Sequence, residues 1–457
     1  MHMSLLVSTN GRIELEDFAR SALPSGRYKR VLVKPNWVIH ESEPGFPIRA
    51  LITSPQLLKA VIEACFEKYP ELESLTVGDV PLQTCEFEKM FAQSGLDKLR
   101  EECAGKFGGR VRFLDLRRER YVKREGFLEL DKRADGDPLG YALVRLDDRS
   151  LLEEVSDRAG SFRVSDYDPE ETRSVHSPGS HSYLIARSVL DAELVINLPK
   201  MKTHQKSGVT GALKNLVGIN GSKAYLVHHR LGSPSQGGDE FPERGSRLIR
   251  LQVRLREALQ KRSRLLFRLG RRGWTALKKL AGIQTTATRE ALRAGKVYVG
   301  AGSWHGNDSI WRMVYDLNLI LVFARKEGGV LADTPQREVV SIMDGIVAGE
   351  GNGPLQPLPV DAGVLLASSN PFLVDMAMAK LMGFDWRKIA LLANHERFPW
   401  PVFGGFDPRG FDTVVDGVAG GRGVDDLPVL KPFLAPPGWI GHIELDTQNQ
   451  APTLSGS

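Results

Sequence analysis

Along this chain of 457 residues the spacing of apolar positions changes period again and again. Short runs of branched aliphatic residues, closed by Pro, Gly or Asp, read as buried strands at 30–34 (RVLVK), 74–77, 111–116, 193–198, 317–324, 339–343 and 364–368. Between them apolar residues recur at helical spacing. Ser54 and Pro55 open a helix over 56–68, as N-cap and first helical residue. Further helices are predicted at 84–95, 182–190, 211–216 and 371–382, the last capped by Asn370 and stopped by Gly383. Such alternation predicts an α/β fold, a mainly parallel sheet with helices on both faces. Residues 117–180 are polar without a sustained period and read as loops around an antiparallel strand at 141–146.

One stretch differs in charge. Leu248, Leu251, Leu255, Leu259 and Leu266 lay an apolar stripe along 246–280, predicting a basic helical insertion. From 244 to 296 there are 16 Lys/Arg against two acids, Glu257 and Glu290, so the net charge of +5 is a property of that segment. The expected organisation is a first α/β lobe with a Lys-rich loop (1–245), the insertion (246–296), the second part of the core (297–437) and a tail (438–457). The segment 244–296 offers a surface for a protein or an anionic partner. An apolar content of 42% with 26% charged residues is that of an ordinary folded protein. The first 30 residues lack a signal-peptide pattern, and no apolar run approaches the roughly 20 residues of a membrane span. A cytoplasmic protein is expected. Cys65, Cys85 and Cys103 show no C-x-x-C spacing, so neither a disulfide framework nor an iron–sulfur cluster within one chain is expected.

The densest chemistry lies at 198–218, LPKMKTHQKSGVTGALKNLVG. Lys200, Lys202, His204, Lys206 and Lys214 follow a buried strand, with Thr203, Thr210 and Asn215 among them, and no acid occurs from Pro199 to Lys223. Ligands of open α/β sheets bind at strand carboxyl ends, and a helix N-terminus there favours anions. The alternative is a solvated basic loop. Lys34-Pro35-Asn36 ends the strand 31–33 in the same way, and Asp79 ends another. Lys34, His204 and His305 are the candidate catalytic groups, His305 as a base oriented by Asp308. Asn36, Lys200, Lys202, Thr203, Lys214 and Asn215 are candidate substrate ligands.

An acidic set follows. Asp316 and Asn318 would share one face of a strand, Asp344 ends another, Glu350 and Asn352 sit in a glycine-rich loop, and Asp375 falls in the helix capped by Asn370. Hard oxygen donors at several strand ends suit a divalent metal, magnesium above all, with Asp316, Asp344, Glu350, Asn352 and Asp375 as ligands. Turn chemistry explains the same residue types.

The segments KPN, LPKMKTH with TGALKNLVG, and DGI…EGNGP with NPFLVDMAMAKLMG together resemble the family of domain of unknown function number 362. The resemblance implies a shared α/β domain. It also implies that some relatives carry ferredoxin-type cysteine segments, a module this chain lacks. Three readings of function follow: an enzyme acting on a small anionic, possibly phosphorylated substrate with a divalent metal; a redox accessory protein docking an iron–sulfur partner; or a protein binding nucleic acid or an anionic surface through 244–296.

Overall fold

The computed structural model describes residues 4–41, 43, 45–124, 127–132, 135–164, 167–243, 300–398 and 407–446. The basic insertion, and the tail beyond residue 446, lie outside the described residues. An 11-stranded sheet organises the rest. Its strands are β1 (Ser4–Thr9), β2 (Arg30–Pro35), β3 (Ser74–Asp79), β4 (Val111–Asp115), β5 (Leu194–Leu198), β6 (Lys200–His204), β7 (Gly208–Thr210), β8 (Glu338–Asn352), β9 (Gln356–Ser368), β10 (Asp412–Val415) and β11 (Val418–Arg422). Their order is β11-β10-β1-β9-β8-β5-β2-β3-β4, with β6 and β7 appended to β8. From β8 through β5, β2 and β3 to β4 every neighbour is parallel, whereas β9 turns back antiparallel on β8.

Helices cover both faces, and the strands show it residue by residue. Val31 and Val33 of β2 enter one core while Leu32 enters the other; Leu194 and Ile196 of β5 oppose Val195 in the same way. This is the period of two expected of strands buried on both sides. One core is closed by α1 (Leu15–Ala22), α2 (Pro55–Lys68), α3 (Phe87–Ser94) and α4 (Leu96–Phe107). The other is closed by the short α5 (Ala212–Asn215), by α6 (Ile310–Phe323) and by α7 (Pro371–Leu381). The caps are those the sequence predicts: Ser54 Oγ accepts from Leu57 N at 3.3 Å and Asn370 Oδ1 from Phe372 N at 2.9 Å.

Several expectations are corrected. The strand expected at 317–324 is instead the end of α6, which runs to Phe323 and whose fourteen residues are all buried. A helix apolar on every side is a core helix, and a continuous apolar run has no period that separates it from a buried strand. Asp316 and Asn318 therefore lie about 200° apart around an axis rather than on one face. Residues 180–186 form a strand before the short helix Arg187–Asp191, because Ser180–Ala186 pairs with Tyr141–Arg145 in a second, four-stranded sheet. The Lys-rich segment is a strand pair, β6 and β7, rather than a loop. The strand at 339–343 continues through Asp344 to Asn352, so Glu350 and Asn352 belong to a strand paired with β9. Among the described residues no helix is long and apolar enough to cross a membrane.

Candidate functional site

The chain runs outward from β2 to β3 to β4, then returns to lay β5 on the other side of β2. The sheet order thus reverses between β2 and β5, the position at which open α/β sheets leave a crevice beyond their strand ends. A cavity of about 550 Å³ lies there. Asn36 follows β2, Asp79 ends β3, and Lys202 and His204 come from β6; Lys214, Asn215 and Lys223 arrive from the connection that follows β7. Trp37, Val38, Ile39, Leu82, Val217 and Leu355 supply an apolar wall.

A buried polar network fixes the floor. Lys34 is fully enclosed; its Nζ meets Asp79 Oδ1 at 2.7 Å and donates to the Pro35 carbonyl at 2.7 Å. Asp79 also accepts from Trp37 N at 2.6 Å and Val80 N at 2.7 Å. Asn215 Nδ2 donates to Asn197 Oδ1 (2.7 Å) and to the Lys34 carbonyl (3.1 Å), while its Oδ1 accepts from Asn36 Nδ2 (3.1 Å). Asn36 Oδ1 in turn accepts from Lys202 Nζ at 2.7 Å, which also donates to the Leu51 carbonyl at 2.7 Å. The glycines of the motif are required by contact. A Cβ on Gly218 would stand 2.0 Å from Asp79 Oδ1 and 2.7 Å from Lys34 Nζ, and one on Gly211 would stand 2.0 Å from Asp375 Oδ1.

Charge is unbalanced above this floor. Lys34 is matched by Asp79, and Lys200 by Asp344 at 2.9 Å. Lys202, Lys214 and Lys223 have no carboxylate within ion-pair distance among the described residues, although none is more than 9% exposed. Burial first, then Lys200 and Lys214, depress the Lys202 ammonium well below its ordinary value. Burial, followed by Lys223 and Lys206, brings Lys214 down to about 7. Burial also lowers Lys223 to about 8, against the pull of Asp79. His204 and His228 are held neutral by burial, with Lys214 acting on His204 and Lys206 and Lys214 on His228. Their tautomers are set by the backbone. His204 Nδ1 accepts from Lys206 N at 3.0 Å, so its Nε2 carries the hydrogen; His228 Nδ1 lies 2.8 Å from the Leu226 carbonyl, so its Nε2 carries the lone pair.

The sequence candidates divide accordingly. Asn36, Lys202, His204, Lys214, Asn215 and Asn352 line the cavity; Lys34 lies beneath it. Lys200 is spent on Asp344, and Thr203 Oγ1 on the Gly351 carbonyl at 2.9 Å. The expected helix N-terminus holds no anion site, because Asp375 accepts from Ala212 N (2.5 Å) and Leu213 N (3.0 Å). His305 stands elsewhere: it stacks on His442 at 3.6 Å with Nδ1 3.3 Å from the Gly438 carbonyl, while Asp308 serves Trp311, Arg312 and Arg230 instead. Lys223 and His228, which are not among the sequence candidates, also line the cavity. The signal was present, since both lie in the acid-free run from Pro199 to Gly238.

The five expected metal ligands do not fit a shared cation. Asp316 accepts from Ser150 Oγ (2.5 Å), Tyr183 Oη (2.8 Å) and Leu151 N (2.9 Å) inside the core. Asp344 accepts from Lys200, Ser54 N (2.6 Å) and Ile346 N (3.1 Å). Glu350 accepts from Leu434 N at 2.9 Å, and Asn352 is bonded to Gln205 and Gln356. These carboxylates satisfy backbone donors rather than face one another. Among the described residues no three His, Cys, Asp or Glu gather in a metal-binding group. Cys65, Cys85 and Cys103 are free and buried, and burial pushes Cys85 up to about 12 and Cys103 up to about 11.

The match to known families agrees with the motifs. Residues 31–132 and 148–380 match the family described as "Domain of unknown function (DUF362)", and the chain belongs to it. A 76-residue stretch is 36% identical to the "Thylakoid-associated protein sll1697" of Synechocystis sp., covering 16% of this chain and 24% of that protein. Two solved structures are distantly similar. A protein from Thermotoga maritima aligns at a TM-score of 0.36 and 11% identity over 79% of this chain and 56% of its own. The lactate racemase apoprotein from Thermoanaerobacterium thermosaccharolyticum aligns at 0.32 and 9% over 83% and 57%. The chain thus spans about a quarter of the curated relative and little more than half of either structure.

Proposed function

We propose that this chain is an enzyme acting on a small anion, a carboxylate or phosphate, bound in the cavity between β2 and β5. One observation carries the reading: Lys202, Lys214 and Lys223 are enclosed around that cavity with no carboxylate within ion-pair distance among the described residues. A buried charge without a partner costs several kcal/mol, and a ligand's negative charge is the partner that removes this cost. The apolar wall from Trp37 to Leu355 would hold the rest of the molecule. Since the carboxylates are engaged by protein donors, binding needs no metal in this reading.

Calorimetric titration with inorganic phosphate and with glutarate tests it. One of the two should bind, and binding should survive EDTA. Lys223→Met should weaken it roughly ten- to a hundredfold, the value of about 1.5–3 kcal/mol for a hydrogen bond to a charged group. The folded state should lose little stability, because the substitution removes an unbalanced charge. Failure of both anions to bind, or equal binding by the variant, refutes the proposal.

A further inference from the structure

We infer that the anion is an oxo acid and that Lys214 forms a Schiff base with its carbonyl carbon; this inference rests on the anion-binding reading above. The cavity holds more than positive charge. Lys214 lines the cavity, and its amine has no hydrogen-bond acceptor and no ion-pair partner among the described residues. Lys202 is tied down by Asn36 and Leu51 and Lys206 by the Ala301 carbonyl, and among the described residues Lys223 reaches only the Val217 carbonyl, at 3.5 Å. Lys214 is therefore the amine free to move onto a substrate.

Its neighbours are unlike those of a plain phosphate site. His228 offers the lone pair of Nε2, which an anion would meet as repulsion, whereas His204 offers the Nε2 hydrogen. Lys214, His204 and His228 line the same cavity, so the amine shares it with an acceptor and a donor, and its charge acts on both imidazoles. A nucleophilic lysine needs its free-base form, which desolvation and neighbouring cations favour. Both operate here, and a value of about 7 leaves a substantial neutral share at neutral pH.

The roles follow from the donors available. Lys202 and Lys223 hold the carboxylate. The lone pair of Lys214 Nζ attacks the carbonyl carbon, the C=O π pair moves onto oxygen, and His204 Nε2–H donates a hydrogen bond to that oxygen. His228 Nε2 takes one proton from the nitrogen and delivers it to the oxygen, giving a neutral carbinolamine. Loss of the remaining nitrogen-bound hydrogen together with that hydroxyl, as water, gives the imine. Carbonyl and amine go to imine and water, with no oxidant or reductant.

The test incubates the full chain with 2-oxoglutarate and sodium borohydride, then maps the adduct by mass spectrometry. Glutarate, which carries the same charges without the carbonyl, is the binding control. The expected result is one addition, the mass of 2-oxoglutarate less one oxygen atom, on the peptide bearing Lys214. Excess glutarate should suppress it, and Lys214→Met should abolish it in a protein whose circular dichroism is unchanged. Because the wild-type adduct is mapped directly, a poorly folded variant leaves the result intact. Calorimetric binding of both acids without an adduct, or an adduct on another lysine, overturns the Schiff base and leaves the anion site standing. Absence of binding by 2-oxoglutarate, glutarate and phosphate alike overturns both.

Discussion

Asp79→Ala isolates the interaction on which the cavity floor depends. In the folded chain Lys34 is 0% exposed, and Asp79 supplies its only charge partner among the described residues. Without the carboxylate the ammonium keeps the Pro35 carbonyl and a long contact of 3.4 Å to Asn215 Oδ1, while the Trp37 amide loses its acceptor and the Val80 amide keeps the Gly218 carbonyl at 3.0 Å. Removing one partner of a buried pair costs about 3–5 kcal/mol, a large share of the roughly 5–15 kcal/mol that holds a domain folded. Lys34→Met should cost less, because Asp79 retains two backbone donors, and the double variant should cost less than the sum. Burial already lowers the Lys34 ammonium, with Asp79 opposing it. Without Asp79 its folded value falls further below the roughly 10.4 of an unfolded chain. In that window the unfolded state binds more protons, so stability rises with pH and the deficit of Asp79→Ala should shrink from pH 7 to pH 10. Urea unfolding at both pH values measures it. A loss under about 1 kcal/mol, or a deficit equal at both pH values, refutes the argument.

Three further outcomes are expected. Gly218→Ala should destabilise by about 1–3 kcal/mol or more, since its methyl must displace Asp79 or Lys34; wild-type urea stability would show the floor to be slack. Asp316, enclosed among Ser150, Tyr183 and Leu151, is pushed up to about 7 by burial. Between about pH 4 and 7 the folded state keeps a proton that the unfolded state has released, so this group makes stability fall as pH rises, and Asp316→Asn should flatten that slope in thermal melts. The thiols of Cys65, Cys85 and Cys103 should resist iodoacetamide in the native protein and react in urea, as mass spectrometry of the alkylated chain would show.

The parallel core was legible because its strands are buried on both faces and punctuated by Pro, Gly and Asp, as at Val31–Val33 and Leu75–Val77. The caps at Ser54 and Asn370 were legible because they are local. What failed was non-local. The run in α6 has no period that tells helix from strand, and 180–186 becomes a strand only because 141–145 lies beside it. At the site, Lys202 and Lys214, without acids nearby in sequence, have no carboxylate within ion-pair distance among the described residues either. Spacing cannot reveal that Asp316, Asp344 and Asp375 are occupied by donors from distant segments. Asp79, an ordinary strand-end residue in the sequence, gains its meaning only from Lys34 on the next strand.

The hairpin of β8 and β9 is paired from Ser341 opposite Ser368 out to Asn352 opposite Gln356, with one irregularity between Gly345 and Val347. Its inner half belongs to the two cores, and its tip places Asn352, Pro354, Leu355 and Gln356 on the rim of the cavity, with Leu355 45% exposed. Inheritance can therefore act on the two ends separately. Substitutions at the tip would reshape the mouth without disturbing the cations at the base, so the size of the opening can vary over one charged floor.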